Sequence, residues 1–473
     1  MTGGTATKLR KLLSRHAVFA ALGTALVLGS SATRAASNPA DNHWPQWRGP
    51  LLNGVAPHGD PPVEWSETKN VKWKATIPGD GNSTPVIWGD KLFVLTAAPT
   101  GKKAETAAQT SPPPVVAQSD PAGGGRGRGG RGGSGGQKPS EIQQFMIQCL
   151  DRQTGKLLWQ QVSREELPHE GFRQNDGSFA SLSPVTDGQH VFAYYGSRGL
   201  YCYDMDGKLQ WSQDFGDMRI FNTFGEGGSP ALQGDTLVVN WDNEDASFII
   251  ALNKNTGKTL WKTPRDERTS WSTPLVVEHE GKREVVTTAT SKVRSYDLAT
   301  GKLAWECEKL TRNVIPTPVA GHGMVFAMSG YQGSSLLAIR LGKTGNLTGT
   351  DAIAWSHNKS TPYVPSPLLY GDRLYFFASN NGRLSCFDAK TGKALIDAVP
   401  VEGLPNVYAS PVGASGRVYL AGRNGATVVI KLSDSLEVLA TNQLSEKFDA
   451  SPAVVGKEIY LRGHGTLYCL AQM

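Results

Sequence analysis

From Val71 onward the chain is a succession of short apolar runs, each closed by Gly, Asn, Asp or Pro. The stretch from Ser366 to Ile396 shows the pattern most plainly. Ser366-Pro367-Leu368-Leu369 opens a strand, and Gly371-Asp372 turns it. Leu374-Tyr375-Phe376-Phe377 forms a second strand, and Asn380-Asn381-Gly382, residues that tolerate positive φ, mark a hairpin. Leu384-Ser385-Cys386-Phe387 is a third strand. Asp388-Ala389-Lys390-Thr391-Gly392 makes the next turn, its Asp able to accept from nearby backbone N–H groups, and Ala394-Leu395-Ile396 begins a fourth strand. Four short antiparallel strands in a repeat of about 45 residues match one blade of a β-propeller.

The same opening, a Ser/Thr-Pro or Pro-x-Pro step, recurs at Pro85, Pro184, Pro230, Pro274, Pro318, Pro367, Pro411 and Pro452. Neighbouring prolines stand 99, 46, 44, 44, 49, 44 and 41 residues apart, and a low-complexity insertion fills the one long interval. The chain therefore reads as all-β: an eight-bladed β-propeller of four-stranded antiparallel blades spanning 71–473. The closing turn recurs as Asp151-Arg152-Gln153-Thr154-Gly155-Lys156, as Asn253 to Lys258 and as Asp297 to Lys302, with a shortened form from Asp204 to Lys208. A tryptophan follows in register at Trp159, Trp211, Trp261 and Trp305, and Trp355 is the equivalent after a longer loop. Ile396 replaces it in the sixth blade, and the seventh (Ser433 to Leu439) is degenerate. These tryptophans are read as structural, packing between neighbouring blades. The eighth repeat stops one strand short at Met473. Val71-Lys72-Trp73-Lys74 has the missing pattern, so this N-terminal strand is predicted to close the last blade with Trp73 as its docking residue, removing exposed sheet edges.

Composition adds a compartment. Lys8, Arg10, Lys11 and Arg15 precede an apolar run from Ala17 to Leu28 and small residues around Ala32-Thr33-Arg34-Ala35-Ala36-Ser37. That is the plan of a secretory signal peptide over residues 1–36, with an uncleaved anchor as the alternative. The run falls short of the roughly 20 residues a membrane-spanning helix needs. No Cys follows it for lipid attachment. The expected location is the periplasm or the cell exterior, without a lipid anchor or a remaining transmembrane segment. The net charge of +6 is mild, and part of it lies in the N-terminal segment and the insertion. Cys149, Cys202, Cys307, Cys386 and Cys469 are odd in number, and all but Cys307 recur at equivalent positions in different blades, too far apart to bridge, with metal binding as the alternative. They are read as small buried hydrophobes.

Two segments stand outside the repeat. Residues 37–70 form an extended leader, and Trp44-Pro45-Gln46-Trp47-Arg48-Gly49-Pro50 is aromatic enough to pack on the propeller, with a ligand-facing lid as the alternative. Residues 99–140 are rich in Pro, Gly and Arg, and their composition points to a disordered loop between the second and third strands of the first blade. Its Arg-Gly tract, 123–133, lacks the aromatic interleaving of a nucleic-acid binder, so no specific nucleic acid is expected.

Catalytic motifs are absent. Gly132-Gly133-Ser134-Gly135-Gly136 matches a nucleophile elbow formally but has no strand–turn–helix around it. Gly257-Lys258-Thr259 and Gly342-Lys343-Thr344 lack the upstream Gly of a phosphate loop. No His-Glu-x-x-His, Cys-x-x-Cys or Cys-x-x-Cys-His occurs, so no metal site is assigned. A site would have to be assembled from the loops that enter the innermost strands. These carry Arg173, Asn175 and Asp176; Arg219, Asn222 and Glu226; Arg268 and Trp271; Arg312 and Asn313; and Tyr363, Tyr408 and Asp449. The channel-mouth candidates are Arg173, Asp176, Glu226, Trp271, Arg312, Asn313, Tyr408 and Asp449. The mix suits an anionic planar ligand with Trp271 or Tyr408 stacking. The alternative is the ordinary polarity of solvated loops.

The Ser-Pro opening and the Asp-x-x-Thr-Gly-Lys-x-x-Trp closing resemble the pyrroloquinoline-quinone (PQQ) type of propeller repeat over roughly residues 71–473. The leader block at 44–50 resembles that of exported bacterial PQQ-like propellers. Two branches of this family carry different implications. Quinoprotein alcohol and sugar dehydrogenases hold PQQ and calcium over the channel, and many have an adjacent Cys pair that this chain lacks. The barrel-assembly propeller lipoprotein of the outer membrane is a non-enzymatic scaffold that binds protein partners, and this chain lacks its lipidation Cys. The resemblance thus implies an exported, monomeric, non-catalytic propeller that binds an envelope protein partner or a small ligand at the channel mouth. The alternative it implies is a PQQ- and calcium-dependent dehydrogenase acting on an alcohol or sugar, with Asp449 or Glu226 as base. A third reading is polyanion binding by the Arg-Gly loop.

Overall fold

Eight four-stranded antiparallel sheets follow one another in chain order in the computed structural model, which describes residues 39–103, 136 and 138–473. The signal-peptide segment 1–36 and the Arg-Gly tract 123–133 lie outside the described residues. Blades 1 to 7 occupy 86–166, 185–213, 231–265, 275–308, 319–357, 368–400 and 412–443. Blade 8 takes three strands from 453–471, and Val71–Thr76 supplies the fourth, with Trp73 opposite Cys469. The eight-bladed ring and its closure by the N-terminal strand match the sequence reading. In blade 1 the strand pairing runs past Pro99 as far as Lys103, opposite Glu141, so the regular arm is longer than the low-complexity boundary at 99 suggested.

The burial pattern explains the strand composition. The two middle strands of blade 6, Arg373–Phe377 and Arg383–Asp388, have neighbouring blades on both faces and are buried between their charged ends, with Ser385 the one hydroxyl among apolar and aromatic residues. The outer strand Ala394–Pro400 is mostly exposed. All five cysteines are buried and unpaired. Burial pushes the Cys149, Cys202, Cys386 and Cys469 thiols up to about 12.

The recurring turn joins blades. Asp151 Oδ1 accepts from the N–H and the hydroxyl of Thr154 at 2.8 and 2.6 Å, and Asp297–Thr300 and Asp388–Thr391 repeat the arrangement. The turn ends at Gly155 with φ of +71°, and a Cβ there would stand 2.6 Å from the Trp73 ring of blade 8. Glycine is thus required twice over, for the left-handed backbone and for the indole lying on it. Each indole N–H also donates to a carbonyl of the next turn: Trp73 to Arg152 (2.9 Å), Trp159 to Met205 (3.0 Å), Trp211 to Lys254 (2.8 Å), Trp261 to Leu298 (2.9 Å) and Trp355 to Ala389 (3.0 Å). Trp305 departs from the series and donates to Glu284 of its own blade at 2.8 Å. Beside it Gly345–Asn346, from the longer loop of blade 5, adds a fifth, parallel strand.

A second girdle encircles the channel. The Ser or Thr before each blade-opening Pro is held extended by that Pro. Its N–H donates to the equivalent hydroxyl of the following blade: Thr84 to Ser183, Ser183 to Ser229, Ser229 to Thr273, Thr273 to Thr317, Thr317 to Ser366, Ser366 to Ser410 and Ser410 to Ser451, all at 2.9–3.0 Å. At the remaining seam, between blades 8 and 1, the buried Arg462 donates instead to the Ser83 carbonyl at 3.1 Å and to its hydroxyl.

The leader runs across the ring on the downstream side of this girdle. Trp44, fully buried, exchanges backbone hydrogen bonds with Ile87 of blade 1, and the Pro45 carbonyl accepts from Thr186 of blade 2. Leu52 packs with the cores of blades 4 and 5, and Val55–Ala56 pairs in parallel with the inner strand of blade 7. Between these points Arg48 is buried and donates to the carbonyls of Asn53, Pro367 and Pro411. Gly49, at φ +73°, leaves room for Trp44; a Cβ would lie 2.6 Å from that ring. Further along, Trp65 stacks on Tyr419 of blade 7, and its N–H donates to Asn442 at 2.7 Å. Trp65 joins the apolar cluster shared by blades 7 and 8, where the outer strand of blade 7 has no tryptophan.

Candidate functional site

Inside the ring is a cavity of about 230 Å³. Trp47 of the leader lines one end, the hydroxyl girdle forms its waist, and the loops entering the inner strands form its mouth. Of the eight candidates named from sequence, Arg173, Asp176, Glu226, Trp271, Tyr408 and Asp449 line the cavity, as does Tyr363. Arg312 and Asn313 do not. Arg312 makes a backbone bridge to Tyr331, whose ring stacks on Tyr363 at 5.0 Å, and Asn313 is buried nearby. Arg219 turns away to Asp245 at 2.8 Å.

The structure joins two sides of the mouth through a residue the sequence reading passed over. Arg423 lies in the hairpin turn between the second and third strands of blade 7. Its guanidinium sits 3.7 Å from the centre of the Tyr408 ring. Its Nε donates to Asp449 Oδ1 at 2.6 Å and its Nη1 to Asp176 Oδ1 at 3.2 Å, and Nη2 reaches the Asn175 carbonyl. Asp176 also accepts from the Tyr408 hydroxyl at 3.0 Å and pairs with Arg173 at 3.0 Å. The loop before blade 2 is thereby latched across the mouth to blades 7 and 8. Lys447 reinforces the latch, donating to the Asn175 carbonyl at 2.8 Å and pairing with Asp449 at 3.2 Å. His464, in the corresponding hairpin of blade 8, meets Asp449 Oδ2 at 3.1 Å. Burial works against the Asp449 charge, but the His464 hydrogen bond and Arg423 outweigh it and hold the carboxyl below the usual range. Burial, then the charge of Asp176, pushes the Tyr408 hydroxyl up to about 12.

Glu226 plays a different part. It is half-buried, and its two oxygens accept from the Ser197 N–H at 2.7 Å and the Ser197 hydroxyl at 2.6 Å, fixing the hairpin of blade 2. Burial raises its pKa. Trp271 donates its indole N–H to the Gly225 carbonyl at 2.7 Å.

This donor set does not fit calcium with PQQ. Calcium takes six to eight oxygen ligands, carboxylates prominent among them. Both oxygens of Asp176, of Asp449 and of Glu226 already face arginine, lysine, histidine, tyrosine or serine donors. Among the described residues, no three His, Cys, Asp or Glu side chains gather in a way that could hold a metal ion.

A ring of eight such blades, tied by tryptophan-on-glycine contacts around a central cavity with a girdle of hydroxyls, defines a propeller of the PQQ-repeat class. The chain belongs to the family described as outer membrane protein assembly factor BamB, whose model matches residues 143–395 and 246–473. The solved BamB of Moraxella catarrhalis is 15% identical, with 69% of this chain and 91% of that one covered and a TM-score of 0.51. A europium-containing methanol dehydrogenase is 10% identical over 91% of this chain and 98% of its own, with a TM-score of 0.56. The quinohemoprotein alcohol dehydrogenase of Comamonas testosteroni is also 10% identical, over 91% and 80%, with a TM-score of 0.56. At these identities the likeness is one of fold. No curated protein matches the chain in sequence. No helix among the described residues is long and apolar enough to cross a membrane.

Proposed function

We propose that the chain is an exported, non-catalytic propeller of the cell envelope that works by binding, with a protein partner or small ligand seated at the channel mouth. The observation that carries this reading is the state of the mouth carboxylates. Asp449 and Asp176 are clamped by one arginine, and both oxygens of Glu226 are held by Ser197. A general base must reach its substrate proton with a free lone pair, and these groups have other tasks. Membership of the outer membrane assembly-factor family supports the binding reading. The charged, apolar and small-residue succession of residues 1–36 supports export. The test is dye reduction by purified protein supplied with PQQ and Ca²⁺ over a panel of alcohols and sugars. The expected result is no turnover above the protein-free rate; sustained turnover abolished by Asp449→Ala or Glu226→Ala would replace this reading with the dehydrogenase one.

A further inference from the structure

The hydroxyl girdle has an unused capacity. Each Ser or Thr oxygen from Ser183 round to Ser451 accepts one backbone N–H from the preceding blade. A hydroxyl offers one donor and two acceptor positions. One acceptor position is thus filled by protein, whereas no described residue accepts any of the eight protons. All eight side chains are more than nine-tenths buried and line the cavity. The channel waist is therefore a ring of eight hydroxyls whose protons are available to an acceptor inside the cavity.

Two groups at the leader end point the same way. Trp47 lines the cavity, and its indole N–H is buried without a partner. Arg48 is buried, its guanidinium 5.4 Å from the centre of the Trp47 ring, and the only hydrogen-bond acceptors of that group among the described residues are carbonyls, two of them on Pro367 and Pro411, each next in the chain to a girdle serine. Among the described residues its Nε has no hydrogen-bond partner and no carboxylate forms an ion pair with it. Burial lowers its pKa to about 9, which still leaves it charged at neutral pH. A buried cation with no counter-charge favours an anion nearby. At the opposite end the carboxylates of Asp176 and Asp449 are neutralised by Arg173, Arg423 and Lys447, and burial raises the pKa of Glu226, which favours its uncharged form, so these groups do not cancel this field.

We infer that the waist of the channel is a binding site for a small oxyanionic ligand, one whose carboxylate or phosphate oxygens accept from the Ser/Thr hydroxyls and the Trp47 indole above the Arg48 charge. The site lies below the Arg423 latch, uses none of the mouth carboxylates, and stands whether or not the protein has a catalytic activity.

Calorimetric titration of the folded protein in low-chloride buffer, with inorganic phosphate in one arm and citrate in the other, tests this. The expected result is saturable one-to-one binding of at least one probe, with a change in tryptophan fluorescence. Phosphate alone would mark a tetrahedral ligand, and citrate a polycarboxylate. Thr317→Val, which removes one hydroxyl, and Trp47→Phe, which breaks no protein hydrogen bond, should each weaken binding about five- to tenfold. Trp47→Phe keeps the test decisive if Thr317→Val fails to fold. Absence of saturable binding of both probes up to about 10 mM, a concentration that would detect even feeble affinity, would overturn the inference. Equal affinity in a folded Trp47→Phe variant would overturn it as well.

Discussion

The backbone N–H of Ser183 donates to the hydroxyl of Ser229 at 2.9 Å, one blade to the next. Both residues are buried. Ser229→Ala strands that amide and should lower unfolding free energy by about 1–3 kcal/mol, read by urea denaturation. Ser229→Thr keeps the acceptor and should stay close to wild type. Equal stability of the Ala variant would remove the girdle from the account of what holds the ring.

Trp211 and Gly257 form one unit across blades 2 and 3. The indole lies on the glycine, where a Cβ would come within 2.6 Å, and its N–H reaches Lys254. Trp211→Ala should cost about 3–5 kcal/mol. Gly257→Ala should cost less in the Trp211→Ala background than alone, because the clash has gone and only the left-handed backbone penalty remains. A double-mutant cycle by chemical denaturation measures the coupling; strict additivity would contradict it.

Asp449 ties pH to the latch. Its folded pKa is depressed, so it contributes stability above its unfolded value near 3.9, and that contribution is lost as pH falls through the folded value. Asp449→Asn, which leaves Arg423 and Lys447 short of a buried partner, should destabilise the protein by about 3–5 kcal/mol at neutral pH. Its melting temperature should then fall less steeply than wild type's on acidification below about pH 4. Parallel acid limbs would show that Asp449 does not carry the charge assigned to it.

Trp65 closes the blade 7–8 seam from outside the repeat. Trp65→Ala should cost about 3–5 kcal/mol, as much as a repeat tryptophan, and the thermal melt should show it. A loss below about 1 kcal/mol would mean that the leader merely lies on the surface there.

How far the sequence reached follows from which contacts are periodic. The Ser/Thr-Pro step and the Asp-x-x-Thr-Gly-Lys turn recur because most blades meet their neighbour through the same two joints, so the eight Ser/Thr-Pro steps reveal the ring and the tryptophan pattern even its closure by Val71–Thr76. Arg423 is not legible in the sequence because the hairpins between second and third strands open on the same mouth as the loops entering the inner strands. Nothing in Gly422-Arg423-Asn424-Gly425 distinguishes it from a solvated turn. Arg48 and Trp65 find partners in Pro367 and Asn442, more than 300 residues away in the chain, and Trp44 pairs with Ile87 through a contact made once, so no spacing predicts them. Trp305 broke its series for a reason equally local, the strand added beside it by the blade 5 loop.

The central claim is that the mouth carboxylates hold the fold rather than calcium and a quinone. Calorimetry of PQQ binding, with and without Ca²⁺, tests it most directly. The account predicts that Ca²⁺ leaves any PQQ affinity unchanged and that Asp449→Asn does not alter a calcium response. Saturable PQQ binding that appears only with Ca²⁺, and is lost in Asp449→Asn or Asp176→Asn, would contradict it.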